Sequence, residues 1–233
     1  MGRKSTIEIN SIEKVSELWE YLTPEEREHL NKNFIVKHYK KNEMIYSESD
    51  TPHDLLCLVG GKVKIFRKGT GGRSQIVRII KAVEYFGYRA LLAEGPYVTN
   101  AMSIENSIIY AIPGQIFISL LKQNHELAFF FIKALATDLG ISDSRSVNLT
   151  QKHIRGRLAE SLLFLKDTYG YEHDSATISI YLSRDDLANF SNMIASNVTR
   201  TLRSFANDKI ITVDGRKIKI IDEEKLKGIA KFG

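Results

Sequence analysis

The spacing of apolar residues changes more than once along the chain. Over residues 11–32, SIEKVSELWEYLTPEEREHLNK, Val15, Leu18, Trp19 and Leu22 share one side of a helix, and Thr23-Pro24 opens a second. Proline suits a first helical position because no hydrogen bond is lost there. From Phe34 the period shortens. FIVKHY, EMIYSE, DLLCLVGGKVKIFRKG, SQIVRIIKAV and NAMSIENSIIYAIP are short, rich in Ile and Val, and partly alternating, with Gly, Asn and Pro between them. Strands at that spacing predict a compact β roll or jelly roll. KGTGGRS at 68–74 reads as a loop between two strands, where glycine forms the turn.

After Pro113 the helical period returns. GQIFISLLKQN is a short helix, and residues 125–152 form a long one. A 3-4 repeat lies along it through Ala128, Ile132, Leu135, Leu139, Ser142, Ser146 and Leu149. A long helix with such a stripe usually packs on another helix, often its twin in a dimer; the alternative is a core helix of the same domain. IRGRLAESLLFLKDT (154–168) is a further amphipathic helix. TISIYL within the following connector is strand-like, and Ser183 stands before RDDLANF with two carboxylates in the first turn, a favourable helix start. The expected fold is α+β in three parts: residues 1–124 as N-terminal helices and β roll, 125–152 as a long helix and hinge, and 153–233 as a small helical domain. The boundary is expected near Asn148–His153.

Composition narrows the function classes. The 233 residues carry a net charge of +5, of which +2 falls on residues 1–150 and +3 on 151–233. A mildly basic C-terminal part is compatible with nucleic acid. No apolar run approaches the roughly 20 residues of a bilayer span, and the first residues lack the apolar core of a secretion signal. Cys57 is the only cysteine, so no internal disulfide forms, which fits a reducing, cytoplasmic setting. There is no paired nucleophile and base, no metal triad and no phosphate-cradling Gly-Lys loop, so an enzyme is not expected.

Residues 184–206 predict a helix, a break near Ser191-Asn192-Met193 and a second helix. Asparagine tolerates the positive φ such a break needs. Ile194, Val198, Leu202 and Phe205 are expected to bury one stripe of the second helix. Ser196, Asn197, Arg200, Arg203 and Ser204 then lie opposite, and no acidic residue occurs between Ala195 and Ala206. That face suits a polyanion, and arginine bonds guanine edges or phosphates. Downstream, KIITVDGRKIKIID holds Asp214-Gly215 between two alternating runs, a strong hairpin signal. Helix-turn-helix followed by a hairpin is the winged form of the DNA-binding motif.

The run LSRDDLANFSNMIASNVTRTLRSFANDKIITVDGRKIKII resembles the winged helix of the CRP/FNR transcription regulators. GGKVKIF and VEYFGYRALL resemble their cyclic-nucleotide-binding-like roll, an effector-type domain, and VNLTQKHIRGRLAESLLFL resembles their hinge and first C-terminal helix. The resemblance covers nearly all of the chain after about residue 15. It implies that the second helix enters the major groove, with Ser196, Asn197 and Arg200 at base-reading positions and Ser183 and Arg184 at phosphate-contacting ones. The helix face adds Thr199 and Arg203 as phosphate candidates. The best-known members have Glu at Ser196, Arg at Ala195, Gly at Asn192 and a capping Ser at Ile194, so their target site does not carry over. The implied partners are double-stranded DNA, a second copy through residues 125–152 on a near-palindromic site, and RNA polymerase.

The effector pocket departs further. Where cyclic-AMP-binding members place Gly-Glu and Arg-Ser/Thr-Ala, FGYRALLAEGPYVTNAM has Gly87-Tyr88 and Val98-Thr99, and Asp143 follows Ser142 on the long helix. Gly87, Tyr88, Arg89, Val98, Thr99 and Ser142 are the candidate pocket residues, and their chemistry argues against cyclic AMP. An iron–sulfur cluster needs several thiolates, and Cys57 in LLCLV reads as a small core residue. The six histidines show no metal-ligand spacing, so no cofactor is expected. The competing reading is a nucleotide-sensing or protein-interaction module whose winged domain binds protein.

Overall fold

The computed structural model describes residues 17–69 and 71–232, apart from the side chains of Glu17, Leu149 and Thr150. The chain divides into two compact units. One comprises the residues up to Lys64 together with Ile80–Thr137, and the other Ile65–Ile79 together with the residues from Asp138.

The first element among the described residues is a 3-10 turn, Glu17–Tyr21; the earlier part of the first expected helix, Val15 included, lies outside them. Helix α1 (Pro24–Asn33) starts as its sequence predicts. Thr23 accepts from the Glu26 amide while Glu26 accepts from the Thr23 amide at 2.8 Å, a reciprocal cap that satisfies two otherwise orphaned donors. Eight strands follow along the chain, most of β4 and β5 belonging to the second unit: β1 (Ile35–Tyr39), β2 (Met44–Tyr46), β3 (Asp54–Gly60), β4 (Val63–Lys68), β5 (Ser74–Ile80), β6 (Tyr85–Phe86), β7 (Asn100–Ser103) and β8 (Ser107–Pro113). They form two four-stranded sheets, β1-β8-β3-β6 and β2-β7-β4-β5. The central strand β3 pairs with β8 in a register that sets Cys57 against Tyr110, and its five middle residues are all buried. Burial on both faces is why DLLCLVG reads as a continuous apolar run rather than an alternating one.

Helices α2 (Tyr88–Leu92), α3 (Gly114–Gln123) and α4 (His125–Gln151) complete the roll. Trp19, Leu30, Cys57, Tyr85, Tyr110, Phe117, Leu127 and Phe131 meet in one core between the β1-β8-β3-β6 sheet and the helices. The long helix therefore turns Leu127 and Phe131 inward, and Leu135 packs against the same core. This corrects the expected stripe. Ala128 and Leu135 are partly buried, Ile132 (59 %) and Leu139 (63 %) are exposed as expected, and Phe129 (65 %), Ala136, Ile141 and Val147 are exposed beside them. The i, i+4, i+8 face at 127, 131 and 135 is taken by the roll, which shifts the free stripe around the helix. Ser142 and Ser146 are exposed, and the side chain of Leu149 lies outside the described residues.

Besides most of β4 and β5 and the part of α4 from Asp138, the second unit holds α5 (Ile154–Tyr169), α6 (Arg184–Ser191), α7 (Ala195–Asn207), β9 (Ile211–Asp214), β10 (Lys217–Ile220) and α8 (Glu223–Phe232). Leu158, Leu162, Leu187, Val198, Leu202, Phe205, Ile211 and Leu226 are buried. The last helix packs on α5, where Lys166 meets Glu223 at 2.9 Å. The strand-like TISIYL forms only isolated bridges, Tyr171 with Ile178 and Thr177 with Lys219. Its alternating apolar residues Ile178, Ile180 and Leu182 are nevertheless buried. Asp174 accepts from the Ala176 and Thr177 amides and the Thr177 hydroxyl, and so curls the segment before a ladder can extend.

Candidate nucleic-acid interface

The first helix of the motif, α6, is started by Ser183, whose hydroxyl accepts from the Asp186 amide at 3.0 Å and donates to the Asp186 carboxylate at 2.8 Å. Asp185 and Asp186 occupy the first turn, where the helix dipole favours negative charge. The break falls at Asn192, which adopts φ 51° and ψ 53°, the left-handed conformation. The Met193 amide returns to the Ala188 carbonyl at 2.9 Å, which satisfies the end of α6 and redirects the chain into α7.

Helix α7 buries Val198, Thr201, Leu202 and Phe205. Ile194, expected on that stripe, is instead the residue preceding the helix and is 43 % exposed. Its backbone is extended, so the helical phase begins one residue later and Thr201 completes the inner face. On the outer face Ser196, Thr199, Arg200 and Arg203 are exposed and Asn197 is half-buried. Arg200 donates to the Asn197 side-chain oxygen at 2.8 Å, and the Thr199 hydroxyl donates to the Ala195 carbonyl at 3.0 Å. The Arg200–Asn197 bond aligns two of the best base-reading side chains one turn apart. Ser204 leaves this face: its hydroxyl is bonded by Arg155, which also reaches Asp208 at 3.0 Å and lies over the Phe205 ring at 5.0 Å. Arg155 thereby offsets the one carboxylate next to the end of α7.

The wing is the β9–β10 hairpin, with Asp214 paired to Lys217 and Gly215 at φ 55°. Positive φ at the first central position alone is the pattern of a type II′ turn, which places Gly215-Arg216 rather than Asp214-Gly215 at the centre. Arg184, at the first turn of α6, donates to the Gly215 carbonyl at 2.7 Å. Ser183 and Arg184 thus cap a helix and tie down the wing in this structure. Arg155 and Thr201 escaped the sequence reading because each acts through a neighbour brought close only by folding.

The effector candidates are dispersed in their roles. Gly87 has φ 83°, and a Cβ there would meet the Tyr97 hydroxyl at 3.3 Å. Tyr88 is buried, its ring 5.3 Å from that of Phe131. Arg89 and Val98 are exposed, Thr99 is half-buried, and Ser142 is exposed on α4. None of the six lines the roll cleft of about 410 Å³ formed by Lys37, Tyr39, Asp50, His53, Asp54, Tyr97 and their neighbours. Lys37 and Asp54 pair there at 2.8 Å, and Tyr46 stacks on Tyr97 at 3.7 Å. Burial, then the Tyr46 hydroxyl, raises the pKa of Tyr97, so it stays protonated. Burial pushes the Cys57 thiol up to about 12, far from a reactive thiolate. Among the described residues, no group of three His, Cys, Asp or Glu is placed to hold a metal ion.

Two family models match: a cyclic nucleotide-binding domain over residues 36–124 and a Crp-like helix-turn-helix domain over residues 156–229. The CRP-like cAMP-activated global transcriptional regulator of Mycobacterium tuberculosis is 23% identical over 198 residues, covering 84% of this chain and 88% of that protein. The anaerobic regulatory protein of Bacillus subtilis is 27% identical over 177 residues, covering 75% and 74%. In fold, the structure of FixK2 from Bradyrhizobium japonicum matches with a TM-score of 0.76 at 20% identity, over 84% of this chain and 96% of that one. With both domain types present in this order, the chain belongs to the CRP/FNR family of transcription regulators.

Proposed function

We propose that the protein binds a near-palindromic DNA site as a homodimer and regulates transcription from it. Residues 1–124 form the effector-type domain, 125–152 the dimerisation helix and hinge, and 153–233 the DNA-binding domain. The observation that carries this reading is the outer face of α7, where Ser196, Thr199, Arg200 and Arg203 are exposed and no carboxylate intervenes. Ser196, Asn197 and Arg200 read bases; Thr199 and Arg203 hold phosphates. Ser183 and Arg184 hold phosphates at the start of α6, Arg184 while fixing the wing. A twofold dimer sets two such helices about 34–36 Å apart, one turn of duplex. The exposed stripe of Phe129, Ile132, Ala136 and Leu139 supplies the surface for the twin helix.

The effector is not cyclic AMP. Tyr88 stands where the nucleotide-binding pattern needs a carboxylate for the ribose, and its ring is turned into the core. Val98 stands where an arginine holds the cyclic phosphate. Any effector acts only so far as it binds one arrangement of the domains more tightly than another. The protein works in the cytoplasm, with RNA polymerase as the next partner; no helix among the described residues is long and apolar enough to cross a membrane.

Binding of the purified protein to a random pool of duplexes, followed by selection, tests the reading. Selected sites with two inverted half-sites one helical turn apart support it. Absence of any DNA binding at low salt, for well-folded dimer, overturns it and favours a winged domain that binds protein.

A further inference from the structure

We infer that the hairpin of β4 and β5 is a second DNA-binding element, one that holds the phosphate backbone beside the groove entered by α7. This rests on the reading of α7 above. Residues 65–79 contain Arg67, Lys68, Arg73 and Arg78 and no carboxylate. Arg78 is neutralised by Asp138 at 2.5 Å. Lys68 and Arg73 stand exposed at the two ends of the hairpin loop. The two exposed loop cations, Lys68 and Arg73, fit a partner of the opposite sign.

The position of the hairpin identifies that partner. A cleft of about 700 Å³ has Lys68, Gly69 and Arg73 in one wall and the turn from Asn192 to Ala195 in the other, so the hairpin cations and the first turn of the base-reading helix share one opening. Asp185 is the one carboxylate on its lining. A polyanion lying on α7 passes these cations, and a phosphodiester strand is the polyanion that α7 is built to meet. The loop also allows close approach: Gly71 and Gly72 have φ 90° and 78°, and nothing lies within 4 Å of where a Cβ would stand on either.

The hairpin is held where it is needed. Arg145 of α4 donates to the Val77 carbonyl at 2.5 Å and to the Phe190 carbonyl at 3.2 Å, and its guanidinium lies 4.6 Å from the centre of the Phe190 ring. One side chain thus joins β5 to α6, and a fixed hairpin loses little freedom when it meets DNA.

The test is the salt dependence of binding, by fluorescence anisotropy, to a labelled random-sequence duplex of about four helical turns. Each phosphate contact adds about 0.9 to the slope of log affinity against log salt. Lys68→Gln/Arg73→Gln removes four contacts from the homodimer, two on each protomer, and is expected to lower the slope by about 3.6, so that between about 50 and 200 mM salt it loses roughly 150-fold less affinity than the wild type. Preference for a selected site over random sequence is expected to stay unchanged, because phosphate contacts carry no sequence information. Both side chains are exposed, and an unchanged thermal midpoint confirms that the variant is folded. An unchanged slope, with the wild type binding normally, overturns the hairpin's role and leaves that of α7 standing. An unchanged slope together with lost transcription in a reconstituted assay also overturns it, by showing that the hairpin meets protein. No wild-type binding at low salt removes both readings together.

Discussion

The ring of Tyr88 packs edge-on against Phe131 of the long helix, with ring centroids 5.3 Å apart. Tyr88, a candidate effector-pocket residue by its sequence, is here part of the roll's core. Two outcomes are expected. Tyr88→Ala costs about 3–5 kcal/mol, the range for an aromatic truncated in a core, measured by urea unfolding. Cyclic AMP leaves the thermal midpoint of the wild type in place, whereas a ligand at 100 times its Kd stabilises by about 2.7 kcal/mol, a shift a thermal scan detects at once.

The free stripe on α4 predicts the oligomeric state. Ile132→Asp or Leu139→Asp sets a charge on an apolar helix pair and is expected to yield monomer by sedimentation, with DNA affinity falling steeply as the second half-site contact is lost. A wild type that sediments as a monomer at micromolar concentration contradicts the proposed dimer.

The Arg184 bond to Gly215 predicts how the wing contributes. Arg184→Ala removes one hydrogen bond and is expected to cost about 1 kcal/mol in stability. Binding weakens on every duplex alike, because the loss is of wing position and phosphate contact rather than base reading. Affinities for selected and scrambled duplexes measured side by side check this.

The C-terminal helix predicts a pH dependence. Hydrogen bonds from Lys166, then Lys227 and Tyr171, hold the Glu223 carboxyl down to about 2, against an ordinary value of 4.5. A lowered folded-state value means that the stabilisation is present above pH 4.5 and is lost as the pH falls towards 2. Glu223→Gln is expected to be less stable than the wild type at neutral pH and to lose less stability across that acid window, as followed by urea unfolding at stepped pH.

The elements that read clearly in the sequence are those whose signals are local. Thr23-Pro24, Ser183 before two aspartates, Asn192 at the break and the glycine of the wing each act on their own backbone, and each sits where its chemistry demands. Features set by a distant partner did not read. Ile194 matched the apolar spacing of α7 but lies before its first turn, so Thr201 takes the inner position. Leu135 matched a dimer seam but faces the roll, a choice made by the aromatic core around Phe131. TISIYL kept its alternating burial and lost its ladder to the turn at Asp174. The short β6 and α2 lack room for a periodic signal, and α8 is secured by Lys166, which lies far from it in sequence. The face of α7 was legible because its inner stripe repeats over three turns; the Arg155 bond to Ser204 was not, because those residues belong to separate helices.

The central claim is that α7 reads DNA through Arg200, and the most direct measurement is the affinity of Arg200→Ala for a selected site and for a scrambled duplex at one fixed salt concentration. Arg200 is exposed and donates to Asn197 one turn away on the same helix, so its removal is expected to leave the fold intact. The predicted result is a loss of about 1–3 kcal/mol on the selected site with a much smaller loss on the scrambled one. Equal affinity of variant and wild type for the selected site would contradict the account.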